Sequence, residues 1–162
     1  MRRTVPGLLA AAVIRSVSTR KATAAQPTDR SACGGTRAAG VRDRCAVTSG
    51  SFFDSVPDGG DAYLLKSTIH DWDDESSLTI LGNVRTAIAR DGKLSLIETV
   101  LPDGAPAHPR MMLDLEMLVH TGSRERTAAE YSNLLSQVGF RLNRVIPTAG
   151  PAAIVDAVLV AP

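Results

Sequence analysis

Five side chains with acidic, basic or aromatic character crowd one turn of the stretch DAYLLKSTIHDWDDE, which runs from Asp61 to Glu75. They are one histidine, one tryptophan and three aspartates: His70, Asp71, Trp72, Asp73 and Asp74. Ligands of open α/β sheets collect at the carboxyl ends of strands, and residues 61–66 are apolar enough for a buried strand. An alternative stays equally open, in which Asp73 only caps the next helix and His70 is a solvated turn residue.

The same acids, together with His70, imitate a cluster of ligands for a hard metal ion. A helix start needs acids of this kind anyway, however, and the spacing of a calcium-binding loop, with its glycine and terminal glutamate, is absent. We therefore predict no metal site here.

Hydrophobic periodicity and turn residues predict alternating strands and helices from about Gly40 onward. One helix is predicted to start at Asp73 and to end near Arg90, with Gly92 as its stop. Another opens at Thr127 with a T-x-x-E capping box to Glu130 and ends at Gly139. The remaining elements are strands at 45–48, 61–66, 93–100, 140–146 and 152–160, the last two antiparallel, and a helix at 110–120. This order indicates an α/β sheet with helices on both faces.

The first part of the chain differs in charge from the rest. Residues 1–44 hold nine Lys or Arg against two acids, whereas residues 45–162 hold nine against fifteen. The basic start loosely imitates a secretory signal or an organelle transit peptide, but its apolar run is far short of a membrane span. Cys33 and Cys45 lack partners at metal spacing and weakly indicate a reducing compartment. We expect residues 1–39 to be poorly ordered, and the protein to be cytoplasmic and to bind neither membrane nor nucleic acid.

Four ordered motifs carry a resemblance to a known family. They are LLK-x3-HDWDDE, GKLSLIETVLP, MMLDLEMLVHTG-x-RERT-x2-E and LLSQVGF. Together they resemble the C-terminal half of the S-adenosylmethionine-dependent O-methyltransferases, which include plant caffeic acid and flavonoid enzymes and bacterial polyketide-type enzymes. The resemblance implies a partial Rossmann-like class I methyltransferase sheet over residues 40–162. It also implies methyl transfer to a hydroxyl of a small, aromatic or polyketide-like acceptor, and a homodimer in the full-length family.

The resemblance assigns catalytic roles to three residues. His70 matches the family's general base, and an imidazole suits that task because its unperturbed pKa lies near neutrality. Glu98 in IETVLP and Glu125 in RERT match two carboxylates that hold the histidine ring. Without the resemblance, Glu98 would more simply be an exposed residue at the end of a strand.

The resemblance also assigns residues to the cofactor S-adenosylmethionine and to the acceptor. Lys66 and Trp72 match cofactor contacts, and an aromatic face suits a sulfonium cation. Ser51 and Phe52 match the family's adenine contact, with Ser51 standing where the family has an aspartate. The acceptor-lining helix of the family maps onto Met112 and Met117, which would otherwise be ordinary core residues.

Two family features have no counterpart in residues 1–39. The family's first strand ends in a glycine-rich loop, and its second ends in an acid that binds the ribose. Gly34 and Gly35 have no hydrophobic strand before them, and neither has Asp29. We therefore expect residues 1–39 to be unrelated, frame-shifted or mis-started sequence, and the strand at 61–66 to become an unpaired edge. A truncated, non-catalytic remnant of the fold is the alternative function.

Overall fold

The computed structural model describes residues 10–15, 21–26, 45–102 and 124–160. The elements in these ranges are β1 (Ala10–Arg15), β2 (Lys21–Gln26), β3 (Cys45–Ser49), β4 (Gly60–Lys66), a 3₁₀ turn (Ile69–Asp71), α1 (Asp74–Ala87), β5 (Ile88–Leu101), β6 (Arg126–Thr127), α2 (Ala128–Gln137), β7 (Phe140–Pro147) and β8 (Ala152–Leu159). The α/β class is therefore confirmed. The helix predicted at 110–120 lies outside the described residues, as do Met112 and Met117.

The strands form one sheet in the order β3-β2-β1-β4-β5-β8-β7, with β6 beside β5. As predicted, β4 and β5 are parallel, and β7 and β8 are antiparallel. Because β4 and β5 run side by side in the same direction, their carboxyl ends meet at one edge of the sheet. At that edge the histidine turn follows β4, and Glu98 lies near the end of β5.

The strand at 61–66 is not an unpaired edge, so that expectation is wrong. β1 lies antiparallel to β4, with Ala10 opposite Lys66 and Ile14 opposite Ala62. β2 then pairs antiparallel with β1, and β3 pairs parallel with β2. The backbone hydrogen-bonding groups on that side of β4 are thus taken up by β1, a segment that the sequence did not predict to be a strand. The boundary between residues 39 and 40 stays a prediction.

The core lies on one face of the sheet. Alternate residues of the three neighbouring strands are buried in register: Tyr63, Leu65, Leu94, Leu96, Val155 and Ala157. Both helices add buried side chains to this cluster: Ile80, Leu81, Val84, Tyr131, Leu134 and Leu135. The two helices also contact each other, so they share this face. None of the described helices is long and apolar enough to cross a membrane.

Helix α1 starts where the sequence predicts and ends earlier. Its N-cap, Asp73, accepts a hydrogen bond from the backbone N–H of Ser76 at 2.8 Å. Its last residue is Ala87, whose carbonyl accepts a hydrogen bond from Gly59 at 2.7 Å and lies 3.0 Å from the Tyr63 hydroxyl. The end of the helix is therefore set by contacts with the chain around the start of β4, and the predicted end near Arg90 is wrong.

Gly92 does not stop α1, because it lies inside β5. A Cβ atom at Gly92 would lie only 2.4 Å from Cγ1 of Ile88. The chain folds back so closely over Ile88 that no side chain fits there. The glycine thus serves a close approach within the strand rather than a helix end.

Helix α2 has the predicted capping box. The backbone N–H of Thr127 donates to Glu130 at 2.8 Å, and the backbone N–H of Glu130 donates to the Thr127 hydroxyl at 3.3 Å. The helix closes before Gly139, whose φ of 79° lies in the left-handed region that glycine adopts without strain. The short strand β6 immediately precedes helix α2 and pairs with the end of β5.

Candidate active site

His70 lies in the 3₁₀ turn that follows β4, at the edge of the sheet where β4 and β5 both end. The turn is short and held by long backbone hydrogen bonds, from Asp71 N to Thr68 O and from Trp72 N to Ile69 O, both 3.3 Å. A single 3₁₀ turn has poor hydrogen-bond geometry, so its conformation depends on contacts from elsewhere. Those contacts come from Glu98 near the end of β5 and from Arg126 at the start of β6.

Glu98, near the end of β5, holds both the turn and the histidine ring. One oxygen, Oε1, accepts hydrogen bonds from the backbone N–H groups of Thr68 at 2.9 Å and Ile69 at 2.8 Å. The other, Oε2, lies 2.5 Å from Nδ1 of His70. The Glu98 residue is only 1% exposed, so these partners replace the water that a buried carboxylate has lost. The structure thus brings the predicted pair His70 and Glu98 together.

The environment raises the pKa of the His70 imidazole above its usual value. Burial by itself would lower this pKa, but the hydrogen bond and charge of Glu98, with the charges of Asp71 and Glu125, outweigh it. Because a carboxylate only accepts hydrogen bonds, the shared proton sits on Nδ1. The second ring nitrogen, Nε2, then carries the lone pair and can accept a proton from a bound molecule.

Asp71 lies on the Nε2 side of the ring, with Oδ1 at 3.4 Å from that nitrogen. Burial raises the pKa of this carboxyl, the charge of His70 opposes the rise, and the charge of Glu98 adds to it. From the sequence, Asp71 is only one of the acids of the turn. Its position next to the histidine in HDW was the available signal.

Glu125 is buried directly before β6 and belongs to the same charged group. Its charge helps to raise the pKa of His70 and also that of Tyr131. Tyr131, on α2, is fully buried, and burial raises the pKa of its phenol well above the usual value. Sequence reasoning missed Tyr131, because a tyrosine at a core position of an amphipathic helix has no distinguishing pattern.

Arg126 was also missed, although it adjoins Glu125. Its guanidinium is 1% exposed and donates to the carbonyls of Ile69 at 3.0 Å and Trp72 at 2.9 Å. It also donates to the carboxylate of Asp74 at 2.7 Å. The hydrogen bond from Arg126 lowers the pKa of Asp74, burial opposes it, and the charges of Arg126 and Arg124 lower it further.

The four predicted cofactor residues lie at or near the same edge. Trp72 packs edge-on against Phe53, with ring centroids 4.8 Å apart, and its ring centroid lies 6.1 Å from that of Phe52. Ser51 accepts a hydrogen bond from the backbone N–H of Phe53 at 3.3 Å. Lys66 is exposed at the end of β4. Among the described residues, the buried indole N–H of Trp72 has no hydrogen-bond acceptor.

Residues 32–141 match a protein-family model described as an O-methyltransferase domain. Two curated relatives are a phenazine O-methyltransferase of Lysobacter antibioticus, 49% identical, and an O-demethylpuromycin-O-methyltransferase of Streptomyces alboniger, 46% identical. Each match covers 74% of this chain but only 35% and 33% of the respective relative. The chain therefore spans about a third of the length of these relatives.

Two solved structures resemble the chain closely. A mitomycin 7-O-methyltransferase matches with a TM-score of 0.80 and 36% identity, over 85% of this chain and 41% of its own. An O-methyltransferase from neocarzinostatin biosynthesis, solved with S-adenosylmethionine and 2-hydroxy-5-methyl naphthoic acid, matches with a TM-score of 0.76 and 31% identity. That match covers 85% of this chain and 41% of the solved one.

Proposed function

This chain belongs to the O-methyltransferase family, and we propose that its site serves methyl transfer from S-adenosylmethionine to a hydroxyl of a small acceptor. The acceptor class is aromatic or polyketide-type. This proposal draws on the phenazine, puromycin and naphthoic acid compounds that the relatives' names and solved structures mention. In this proposal His70 is the general base, and Glu98 and Glu125 support it.

The observation that carries the proposal is the contact between Glu98 and Nδ1 of His70. A carboxylate on Nδ1 fixes the tautomer that leaves Nε2 free to accept the acceptor's hydroxyl proton, and it stabilises the imidazolium that results. The same carboxylate fixes the backbone of the turn, so the imidazole is held before the acceptor arrives. Pre-positioning of this kind is where most of the rate gain of a direct group transfer arises.

The residues at the edge of the sheet fit part of the cofactor. When bound, S-adenosylmethionine supplies an electrophilic methyl group on a sulfonium cation. The aromatic group Phe52, Phe53 and Trp72 offers apolar rings suited to an adenosine or a sulfonium, and the Trp72 N–H, which has no acceptor among the described residues, offers a donor. Lys66 and Ser51 would add polar contacts, and Met112 and Met117 would line the acceptor.

A second candidate, a non-catalytic remnant of the fold, is favoured by the direction of β1. Because β1 is antiparallel to β4, its carboxyl end lies by Ala62, at the edge opposite to His70. A glycine-rich loop following this strand would therefore be on the wrong side of the sheet for the cofactor. If the chain is such a remnant, it keeps the histidine turn but binds S-adenosylmethionine far more weakly than a complete family member.

The test compares wild type, His70→Ala and Asp73→Asn in this chain, with methyl-labelled S-adenosylmethionine and 1-naphthol as the acceptor. Asp73→Asn is the matched control, because it alters an acid of the same turn yet keeps a good helix cap. We expect His70→Ala to lose roughly 10²–10⁴-fold in rate. Its affinity for the cofactor, measured by calorimetric titration, should stay at the wild-type value.

Two outcomes would go against the proposal. Wild-type turnover by His70→Ala with a neutral phenol at neutral pH would remove the base assignment. A wild-type chain that neither binds S-adenosylmethionine nor transfers its methyl group would support the remnant.

A further inference from the structure

We propose that Arg126 is a positioning residue for His70, holding the carbonyl side of the histidine turn while Glu98 holds the amide side. The effect of Arg126 on catalysis rests on the proposed function, in which His70 is the base. Arg126 does not touch the imidazole. It acts through the backbone of the turn that carries it, by donating to the carbonyls of Ile69 and Trp72.

The turn needs such support because its own hydrogen bonds are long. The Ile69 carbonyl accepts from Trp72 at 3.3 Å within the turn, and from Arg126 at 3.0 Å from outside it. On the other side, the N–H groups of Thr68 and Ile69 point to Glu98. Two charged groups of opposite sign thus hold different peptide groups of the same turn, Glu98 through the N–H groups at its start and Arg126 through the carbonyls that follow. Together they restrict rotation of the turn and of the ring attached to it.

The planar guanidinium is what allows one side chain to reach three acceptors at once. Nη1 donates to Ile69, while Nη2 donates to Trp72 and, with Nε, to Asp74. A lysine ammonium is a single point with freely rotating donors, and it cannot span two carbonyls and a carboxylate in this fixed arrangement. Arginine is therefore required for its shape as well as for its charge.

Arg124 offers a matched control on the same carboxylate. It donates to the other oxygen of Asp74 at 3.2 Å and pairs with Glu130 at 3.0 Å, but its side chain is 50% exposed. Neither of these two ion pairs involves the turn. The two arginines share a partner and differ in their contacts with the histidine turn.

The test is an NMR titration of the His70 imidazole in the wild-type chain, Arg126→Lys and Arg124→Lys. The His70 signal is assigned by its loss in His70→Gln. Both lysine variants keep the positive charge, so a change reports geometry. We expect Arg126→Lys to loosen the contact between His70 and Glu98, so that the pKa of His70 falls toward its usual value and amide exchange at Thr68 and Ile69 accelerates. Arg124→Lys should match wild type in both measurements.

The titration does not need turnover, so it separates this inference from the proposed function. If the chain transfers methyl groups, Arg126→Lys should also lower kcat, by up to about 10²-fold, because His70 is misplaced, and the KM for the cofactor should stay unchanged.

A folded Arg126→Lys chain with a wild-type His70 titration would overturn the proposal. If Arg126→Lys does not fold, the same titration is made on Asp74→Asn. The Asp74 carboxylate orients the Arg126 guanidinium, and because it is 54% exposed its replacement should leave the fold intact. An unchanged His70 titration in Asp74→Asn would then assign Arg126 to the fold alone.

Discussion

At the scale of single residues, the site is a histidine placed among carboxylates of different burial. Glu98 is buried and bonded to the ring, whereas Asp71 faces the other ring nitrogen at a longer distance. Their negative charges, with that of Glu125, outweigh the effect of burial and raise the pKa of His70. A base with a raised pKa accepts a proton more readily, but it is also protonated over a wider range of pH.

The raised pKa predicts how turnover depends on pH. With His70 as the proposed base, only its neutral imidazole can accept the acceptor's proton, so kcat/KM with a neutral phenol should rise with pH and level off above the raised pKa of His70. Glu98→Gln removes the hydrogen-bonded charge, so the pKa should fall and the rise should move to lower pH. A pH profile of kcat/KM for both chains measures the shift.

Glu125→Gln is the control for this prediction, because the charge of Glu125 is the smallest of the contributions that raise the pKa. Its profile should move less than that of Glu98→Gln. A profile of Glu98→Gln that coincides with wild type, or moves to higher pH, would contradict the charge argument. The plateau rate of Glu98→Gln should fall by less than the roughly 10²–10⁴-fold expected for loss of the base.

At the scale of elements, Asp73 lies two residues after the end of the histidine turn and caps α1. Its side chain accepts from the N–H of Ser76, and that bond lowers the pKa of the carboxyl. A carboxyl whose pKa is lower in the folded state stabilises the fold above its unfolded value of 3.8. That stabilisation is lost as the pH falls through the lower, folded value.

Asp73→Ala should therefore lower the free energy of unfolding by about 1 kcal/mol at neutral pH. Denaturant unfolding followed by circular dichroism measures this loss. Glu75→Ala is the control: it removes an acid from the same first turn that is not the cap, and should cost less. The difference between Asp73→Ala and wild type should shrink below about pH 3.8. A difference that is unchanged or larger there would contradict the cap assignment.

At the scale of the whole molecule, β1 decides whether the sheet has an open side next to β4. With β1 in place, the strand order continues to β2 and β3. Without it, the largely apolar β4 would present a row of unpaired backbone groups to other chains. The pairing of β1 with β4 is thus expected to keep the chain from self-association.

Val13→Pro should expose that edge. Val13 lies opposite Tyr63 in the pairing of β1 with β4, and a proline there removes the backbone N–H and disfavours a strand between two neighbours. We expect Val13→Pro to form higher oligomers at concentrations where wild type does not, as measured by light scattering after size-exclusion chromatography. Val13→Ala keeps the backbone N–H and should behave as wild type. Equal oligomer content in Val13→Pro and wild type would show that β1 does not protect β4.

Local features of this protein could be predicted from its sequence by itself. The cap at Asp73, the capping box of Thr127 and Glu130, and the strand leading to HDW each depend on residues within a few positions of one another. Side-chain hydrogen bonds to a neighbouring N–H and apolar periodicity are local interactions, so they are legible in a linear pattern. The family resemblance, which pairs His70 with Glu98, added a contact that no local pattern contained.

Other features were decided only by the tertiary structure, because they join residues far apart in the chain. Arg126 reaches the carbonyl of Ile69 across 57 positions, and Glu98 reaches the N–H of Thr68 across 30. The end of α1 at Ala87 depends on the chain around Gly59, and β1 became a strand by pairing with β4. In each case a backbone group forms a hydrogen bond with a distant segment that the fold brings within about 3 Å. The sequence of either segment alone does not indicate that the two will be in contact.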